Sequence, residues 1–551
     1  MAKYTIGIDF GTLSGRAVII DIHTGDALAS SVFEYKQKVI TDYLPNTNVK
    51  LGLDYALQDP QDYLDVLTHT IPDVIKSSQV SKDDIIGLSI DFTACTLIPV
   101  DQDNQPMCFN TEYRENPHAW IKLWKHHAAQ KYADELNQLA HAEKTSWIHR
   151  YGGKISSEWM FPKIIQVLRE DYELYQKIDN FLEATDWVTS QLTGNVIRNT
   201  CTLGYKAMYH HEEGFPSKAF FKKLDPRLEN VIEEKVKGMF KDLGDSAGTL
   251  MPKWAEKLGL NKDTVVAVGN VDAHVSAPAV HVTKPGQMLM IMGTSTCDIL
   301  LSTFETKVPG MCGVVYNGAI PGYFAYESGQ SAVGDIFAWF VDHYISSDLE
   351  TQAKTQNVDI HAFLEQKASA LKVGQSGVIA LDWFGGNRSI LVDADVQGVM
   401  LGMTLQTKPE EIYRALIEST AFGKKIIIDN FIKHGVPVDQ LFVCGGLPNK
   451  NKLLLQIYAD VLNMEIQIAD SEHTPALGAA MFASVAAKDK GGYQSIHEAS
   501  EHMAKVKAET IKPIPENVLI YQKIYQEFKT LHDYFGYGTN DVMKRLKKLK
   551  G

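Results

Sequence analysis

The chain has 551 residues, too many for one ordinary core, so several domains or two large ones are expected. Hydrophobic residues at 45% and charged residues at 22% describe an ordinary globular protein and exclude a disordered or fibrous one. Lysine and arginine number 54 against 67 aspartates and glutamates, a net charge of −13 with no basic block in the body of the chain, which argues against nucleic acid as a partner. The one basic cluster, Lys544, Arg545, Lys547, Lys548 and Lys550, reads as a solvated helix end. Cys95, Cys108, Cys201, Cys297, Cys312 and Cys444 contain no C-x-x-C pair, so neither a zinc site nor a disulfide framework is expected, and reduced thiols in the cytoplasm fit best. No apolar stretch approaches the roughly 18 residues of a membrane span, and no export or anchoring signal is read.

Residues 5–9 and 16–21 are apolar, β-branched runs joined by the small-residue turn 10–15, which predicts a hairpin at the start of the chain. A third strand over 28–35, a helix over 60–77 and an apolar strand over 85–91 follow. Residues 115–245 carry Trp, Tyr, Lys and Glu at helical spacing and predict a mostly helical insertion. A second cycle opens near Gly286 with strands over 287–292 and 297–302 around Gly293-Thr294-Ser295-Thr296. Thr407, with Glu410 three residues on, reads as the N-cap of a long helix running to about His434. A buried strand over 441–444, the turn Gly445-Gly446 and an apolar stripe over 453–462 predict strand, turn and helix. The last core helix is expected over 475–487, where Ala476, Gly478, Ala479 and Ala480 permit another backbone to come close. Two such cycles predict a duplicated α/β architecture with a cleft between its halves.

Four constellations could carry chemistry. Asp9-Phe10-Gly11-Thr12-Leu13-Ser14 ends a buried strand on a carboxylate and offers backbone N–H groups and hydroxyls that could cradle phosphate; a tight hairpin capped by the aspartate is the alternative. Asp9 would then hold the water shell of Mg²⁺. Gly293-Thr294-Ser295-Thr296 repeats those donors. Asp272, in Gly269-Asn270-Val271-Asp272-Ala273-His274, could accept a proton from an attacking hydroxyl, or could simply cap a turn. Cys444-Gly445-Gly446-Leu447-Pro448-Asn449 would let backbone approach a flat ligand such as adenine. Walker A, G-x-G-x-x-G, H-E-x-x-H and G-x-S-x-G motifs are absent, so nucleotide binding would need another architecture. The histidine pairs His126-His127 and His210-His211 read as surface residues.

In this order and spacing, Asp9-Phe-Gly-Thr, Gly293-Thr-Ser-Thr and Val443-Cys-Gly-Gly resemble the two phosphate motifs and the adenosine motif of the actin-like ATPase superfamily. Longer blocks at 9–16, 90–96, 156–160, 269–274 and 445–448 resemble the FGGY carbohydrate kinases, and within them the branch acting on L-ribulose; the likeness runs from about residue 3 to about 535. It implies two ribonuclease-H-like domains, over 1–283 with the insertion and 284–490, followed by a helical extension over 491–551, the domains closing on a ketopentose and MgATP. It implies Asp272 as catalytic base, the sugar near Ala94, Lys206, Asp272 and Glu327, Mg²⁺ at Asp9, the phosphates at Thr12, Gly293 and Thr294, and the nucleoside by Gly334, Gly445, Gly446 and Asn449. The expected reaction is ATP-dependent conversion of L-ribulose to L-ribulose 5-phosphate in L-arabinose breakdown. A kinase of another pentulose or pentitol and a sugar-independent ATPase of the same superfamily remain as alternatives, and a homodimer stays open. Two departures, Ile-Ile-Gln-Val after Lys163 in place of an early tryptophan and Lys450 where glycerol kinases carry a small or neutral residue, weaken a glycerol assignment.

Overall fold

The computed structural model describes residues 3–549, so Lys550 of the basic cluster lies outside the described residues. The chain divides into two compact units: one holds residues 3–283, 314–325 and 473–505, the other 284–313, 326–472 and 506–549.

In the first unit, strands Tyr4–Phe10 and Ser14–Asp21 pair antiparallel with Gly7 opposite Val18, and Ala27–Glu34 continues the antiparallel edge. On its other side Tyr4–Phe10 pairs in parallel with Ile85–Phe92, every residue of which is buried, as the near-continuous apolar run of a central parallel strand requires. Val265–Ala267 and Asn270–Val271 both pair in parallel with Ile85–Phe92, and Ser246–Thr249 closes the edge antiparallel. The helix Pro60–Ser78 opens with Asp59 accepting from the Gln61 N–H and with proline in its first turn, where a missing N–H costs nothing.

The second unit repeats this plan. Its strands follow the order Phe324–Gln330, Thr296–Ser302, Gln287–Met292, Gln440–Cys444, Ile466–Ala469, Val506–Ile511. Gln287–Met292 is antiparallel to Thr296–Ser302 and parallel to Gln440–Cys444; Ile466–Ala469 is parallel to the latter, and Val506–Ile511 is antiparallel at the end. The expected α/β duplication is therefore present as two sheets of one pattern.

By packing, residues 473–505 group with the first unit and residues 506–549 with the second, so the compact units cross the linear boundaries expected at 283 and 490. Helix Thr474–Ala486 packs on the first sheet because its small residues let backbones touch: a Cβ on Gly478 would lie 1.8 Å from the Val275 carbonyl oxygen, and one on Gly7 would lie 1.8 Å from that of Ala476. Val506–Ile511 then joins the second sheet as a strand that no periodicity announced.

Three further expectations change. The long helix is Pro409–Lys433, capped at Lys408, whose backbone N–H donates to Glu411 at 2.7 Å; Thr407 instead accepts from the Thr404 N–H in the preceding turn. The insertion is helical, as in Gln130–Ala142 and Met160–Glu170, but also contributes strand Asn180–Glu183 to a small sheet with Leu97–Val100. His126 and His210 are buried rather than superficial; burial holds the His126 imidazole well below its ordinary range, and its Nε2 lies 2.9 Å from Gln166 Oε1.

The second sheet is braced by an ion pair with no exposure. Lys424, on the long helix, donates to both oxygens of Asp298 at 2.5 Å and to Thr296 Oγ1 at 3.2 Å, while Ser328 donates to Asp298 at 3.0 Å. Thr296 belongs to the turn 293–296, so this pair anchors that turn from below.

Gly478→Ala should destabilise the first unit by about 2–3 kcal/mol through backbone overlap, read as a lowered midpoint in thermal or urea unfolding. Lys424→Met, which strands a buried carboxylate, should lose about 3–5 kcal/mol, and Lys424→Met with Asp298→Leu should recover most of it; urea titration of the two variants decides.

Candidate functional site

In the first unit the parallel register sets Asp9 opposite Asp91, and Asn270 opposite Asp91 on the other side. Three strands thus finish at one level, with Asp9 and Asp91 at two ends and Asp272 just past the third. Asp272 is the first residue of helix Asp272–Ala279, and its Oδ1 accepts from the Ala273 N–H at 2.7 Å. Burial pushes the Asp9 carboxyl up, opposed by its contact with Asp91 and by Arg16. Asp91 is pushed well above the carboxylate range, first by complete burial, then by the charges of Asp9 and Asp272.

The turn after Asp9 is held from outside. Gly11 N–H donates to the Ser14 carbonyl at 2.9 Å, Gln58 Nε2 donates to the Thr12 carbonyl at 2.8 Å, and Trp124 Nε1 donates to Thr12 Oγ1 at 3.2 Å. An indole N–H only donates, so Thr12 accepts here and keeps its own O–H for another acceptor.

Ala94 sits in the turn after Ile85–Phe92, next to Cys95 at φ +62°. The Lys163 ammonium, fully buried, donates to the carbonyls of Cys95 at 2.6 Å, Leu123 at 2.9 Å and Lys122 at 3.2 Å. Glu183 accepts from the Thr96 N–H at 3.0 Å; burial pushes its carboxyl up to about 7, against the pull of Lys163. Lys206 closes helix Thr200–Lys206, with its Nζ 5.5 Å from the ring centres of both Trp159 and Tyr205. Asp9, Thr12, Ala94, Lys206 and Asp272 all belong to this unit, and the strand ends bring Asp9 and Asp272 around Asp91.

The second unit gathers Gly293, Thr294, Gly334 and Gly445 around one turn. Gly334 N–H donates to the Gly293 carbonyl at 3.1 Å, and Val333 N–H donates to that of Thr294 at 2.7 Å. Gly334 opens helix Gly334–Tyr344, and a Cβ there would lie 2.7 Å from the Gly293 oxygen. Gly445 takes φ +101°, and a Cβ on it would lie 2.4 Å from the Met292 oxygen, so glycine is required for the strand end Gln440–Cys444 to turn beside 293–296. Gly446 starts the short helix Gly446–Lys450, where nothing would meet an added Cβ. Asn449 is drawn away from this backbone, its Oδ1 accepting from Lys507 at 2.8 Å. Glu327 lies on strand Phe324–Gln330, buried, with Oε1 accepting from Arg388 at 2.5 Å.

Sequence reasoning did not single out Trp124, Lys163, Asp91 or Arg388 as members of the site. Asp91 alone had a signal, a carboxylate ending an apolar run as Asp9 does. Among the described residues no group of three or more His, Cys, Asp or Glu is arranged to hold a metal ion, and no helix is long and apolar enough to cross a membrane. Mg²⁺ takes few protein ligands, and the buried oxygens of Asp91 have no hydrogen-bond partner beyond the neighbouring Asp9 carboxyl, so this pair would suit such an ion.

The N-terminal domain of the FGGY family of carbohydrate kinases matches residues 4–278, and its C-terminal domain matches 288–487. A ribulokinase of Halalkalibacterium halodurans is 59% identical over 549 residues, covering 100% of this chain and 98% of that protein; one from Staphylococcus aureus is 40% identical over 548 residues, covering 100% and 99%. Among solved structures, a xylulose kinase of Lactobacillus acidophilus superposes with a TM-score of 0.80 at 18% identity over 96% of this chain and 98% of its own, and a gluconate kinase of the same organism with 0.79 at 19% over 98% and 99%. Those two show the same two-domain fold. The matched domains and full-length relatives together establish that the chain belongs to the FGGY family of carbohydrate kinases, in its ribulokinase branch.

Proposed function

We propose that this sugar kinase transfers the γ-phosphoryl group of ATP to the terminal hydroxyl of L-ribulose, giving L-ribulose 5-phosphate and ADP for L-arabinose breakdown. The observation that carries the reading is full-length likeness to ribulokinases in a chain whose Asp272 opens a helix beside the buried Asp9–Asp91 pair.

In this reading Asp272 takes the proton of the attacking hydroxyl as its oxygen bonds to the γ-phosphorus and the bond to the bridging oxygen of ADP breaks. A base so placed contributes roughly 10² to 10⁴ in rate, while most of phosphoryl-transfer catalysis comes from positioning and charge stabilisation. Lys206, Ala94 and Glu327 bind the sugar; paired donors and acceptors suit hydroxyls and leave an ill-fitting analogue with unsatisfied groups. Asp9, with Asp91, would hold Mg²⁺, which would supply positive charge against the phosphates. Thr12 donates its hydroxyl proton to a phosphate oxygen. Gly293 and Thr294 flank the phosphates, the Gly293 N–H closing the turn on the Ser295 carbonyl at 2.9 Å and the Thr294 N–H donating to phosphate; Gly334 and Gly445 let the surrounding backbone pack beside the nucleoside, and Gly446, open where a Cβ would stand, lets the nucleoside lie against backbone. Asn449 accepts from Lys507 through Oδ1 and keeps its Nδ2 donors for the nucleoside.

Asp272→Asn should cut kcat at least about a hundredfold while both KM values stay within a few-fold. Steady-state kinetics check it, and an unchanged kcat removes Asp272 from the chemistry. ADP release with MgATP should be negligible without sugar and should show its highest kcat/KM with L-ribulose in a panel with D-ribulose, D-xylulose, L-xylulose, ribitol and glycerol. Equal release without sugar would overturn the kinase reading.

A further inference from the structure

We propose that Arg388 is a positioning residue for the sugar-side Glu327, and that the basic C-terminal helix holds Arg388 in place. The inference rests on the proposed role of Glu327 and deepens it.

Arg388 and Ser389 hang on the strand that carries Glu327. Arg388 donates to Glu327 Oε1 at 2.5 Å and through Nε to Cys312 Sγ at 3.2 Å, and the Gly329 N–H donates to Ser389 Oγ at 3.3 Å. A planar guanidinium fixed at two points sets the direction of a carboxylate as well as its charge. Glu327 is buried, so its orientation is set by protein partners, Arg388 among them, rather than by water.

The segment bearing Arg388 is a loop, closed by its own hydrogen bonds and held from outside by the helix Val542–Leu549. Asn387 and Asp393 exchange backbone hydrogen bonds at 2.8 and 2.9 Å, and Asn387 Oδ1 accepts from the Leu391 N–H at 2.9 Å, which closes the loop on itself. Gly310 admits it, since a Cβ there would lie 2.1 Å from the Ile390 oxygen. Helix Val542–Leu549 then grips the outer side. Lys544 pairs with Asp393 at 2.6 Å and Lys547 with Asp395 at 2.7 Å; Lys547 also donates to the Ala394 carbonyl at 3.1 Å, and the Gln397 N–H meets the buried Met543 sulfur at 3.2 Å. The preceding helix Pro515–Gly536 ends against the loop as well, where a Cβ on Gly536 would lie 2.7 Å from Leu391. Each ion pair is partly exposed and weak alone. Two of them in register with an anchored methionine give the loop one position, and Arg388 with it. The basic cluster at the chain end, which composition explains as a solvated helix terminus, thereby acquires acidic partners of its own.

The test uses the full enzyme, MgATP and L-ribulose. Arg388→Met should raise the KM for L-ribulose about twentyfold, with Arg388→Lys partly restoring it and the KM for ATP within twofold. A chain ending at residue 540 should raise the sugar KM about fivefold at an unchanged ATP KM. Lys544→Glu with Lys547→Glu should do the same, and adding Asp393→Lys with Asp395→Lys should bring it back. A sugar KM within twofold of wild type in Arg388→Met or in the shortened chain overturns the proposal, as does an equal rise in both KM values. Wild-type turnover indifferent to sugar would instead overturn the functional reading, so the two failures are told apart in one assay.

Discussion

The first unit depends on register. Parallel pairing of Tyr4–Phe10 with Ile85–Phe92 sets Asp9 level with Asp91, and the pairing of Asn270–Val271 with the same strand brings Asp272 to the neighbouring position. A slip of one residue in either ladder would turn these carboxyls to the other face of the sheet and separate them. Gathering three carboxyls is electrostatically unfavourable, and Asp91, squeezed by burial and by its neighbours' charges, shows the strain most clearly. An arrangement that disfavours anions when empty is suited to a cation bound together with phosphate.

The two sheets share a pattern but end differently. Both place an antiparallel hairpin with a glycine-threonine turn beside a parallel strand. In the first, the strand entering the turn ends on Asp9 and Phe10; in the second it ends on Met292 and Gly293, with no carboxylate at that level. The second unit places its charge behind the turn, in the Lys424–Asp298 pair, where it fixes Thr296 without facing ligand. Duplication supplied two similar cradles, and local charge made them chemically distinct.

Much of this was legible in the sequence because strands and helices have different periods. The alternation and apolar runs located the hairpins to within a residue or two, and the small-residue run 476–480 announced a close packing that Gly478 and Val275 display. The turn glycines at 293 and 445 are legible between strand and helix patterns, Gly334 only through the resemblance, and the structure supplies the steric reason for Gly334 and Gly445. Other features had no local signature. Trp124 meets Thr12 across 112 residues of chain, and Lys163 reaches Cys95 across 68, so no motif connects them. His126 resembles any surface histidine until the insertion folds over it. The N-cap moved from Thr407 to Lys408 because Thr407 was already engaged by the Thr404 turn, a competition between neighbouring hydrogen bonds that spacing alone does not resolve.

The placement of helix Thr474–Ala486 has a consequence for biosynthesis. The strands it covers, Tyr4–Phe10 and Ile85–Phe92, leave the ribosome well before the helix, which follows most of the second unit. Until then Gly7 and Gly87 line an apolar face with no cover, because no bulkier side chain on the strands fills the room reserved for the helix backbone. The first sheet is thus completed long after its own strands are made, and a nascent chain must keep that face from other surfaces while some four hundred residues follow it. Separating the units at a single cut, as a linear arrangement of domains would allow, leaves the first one without its lid helix.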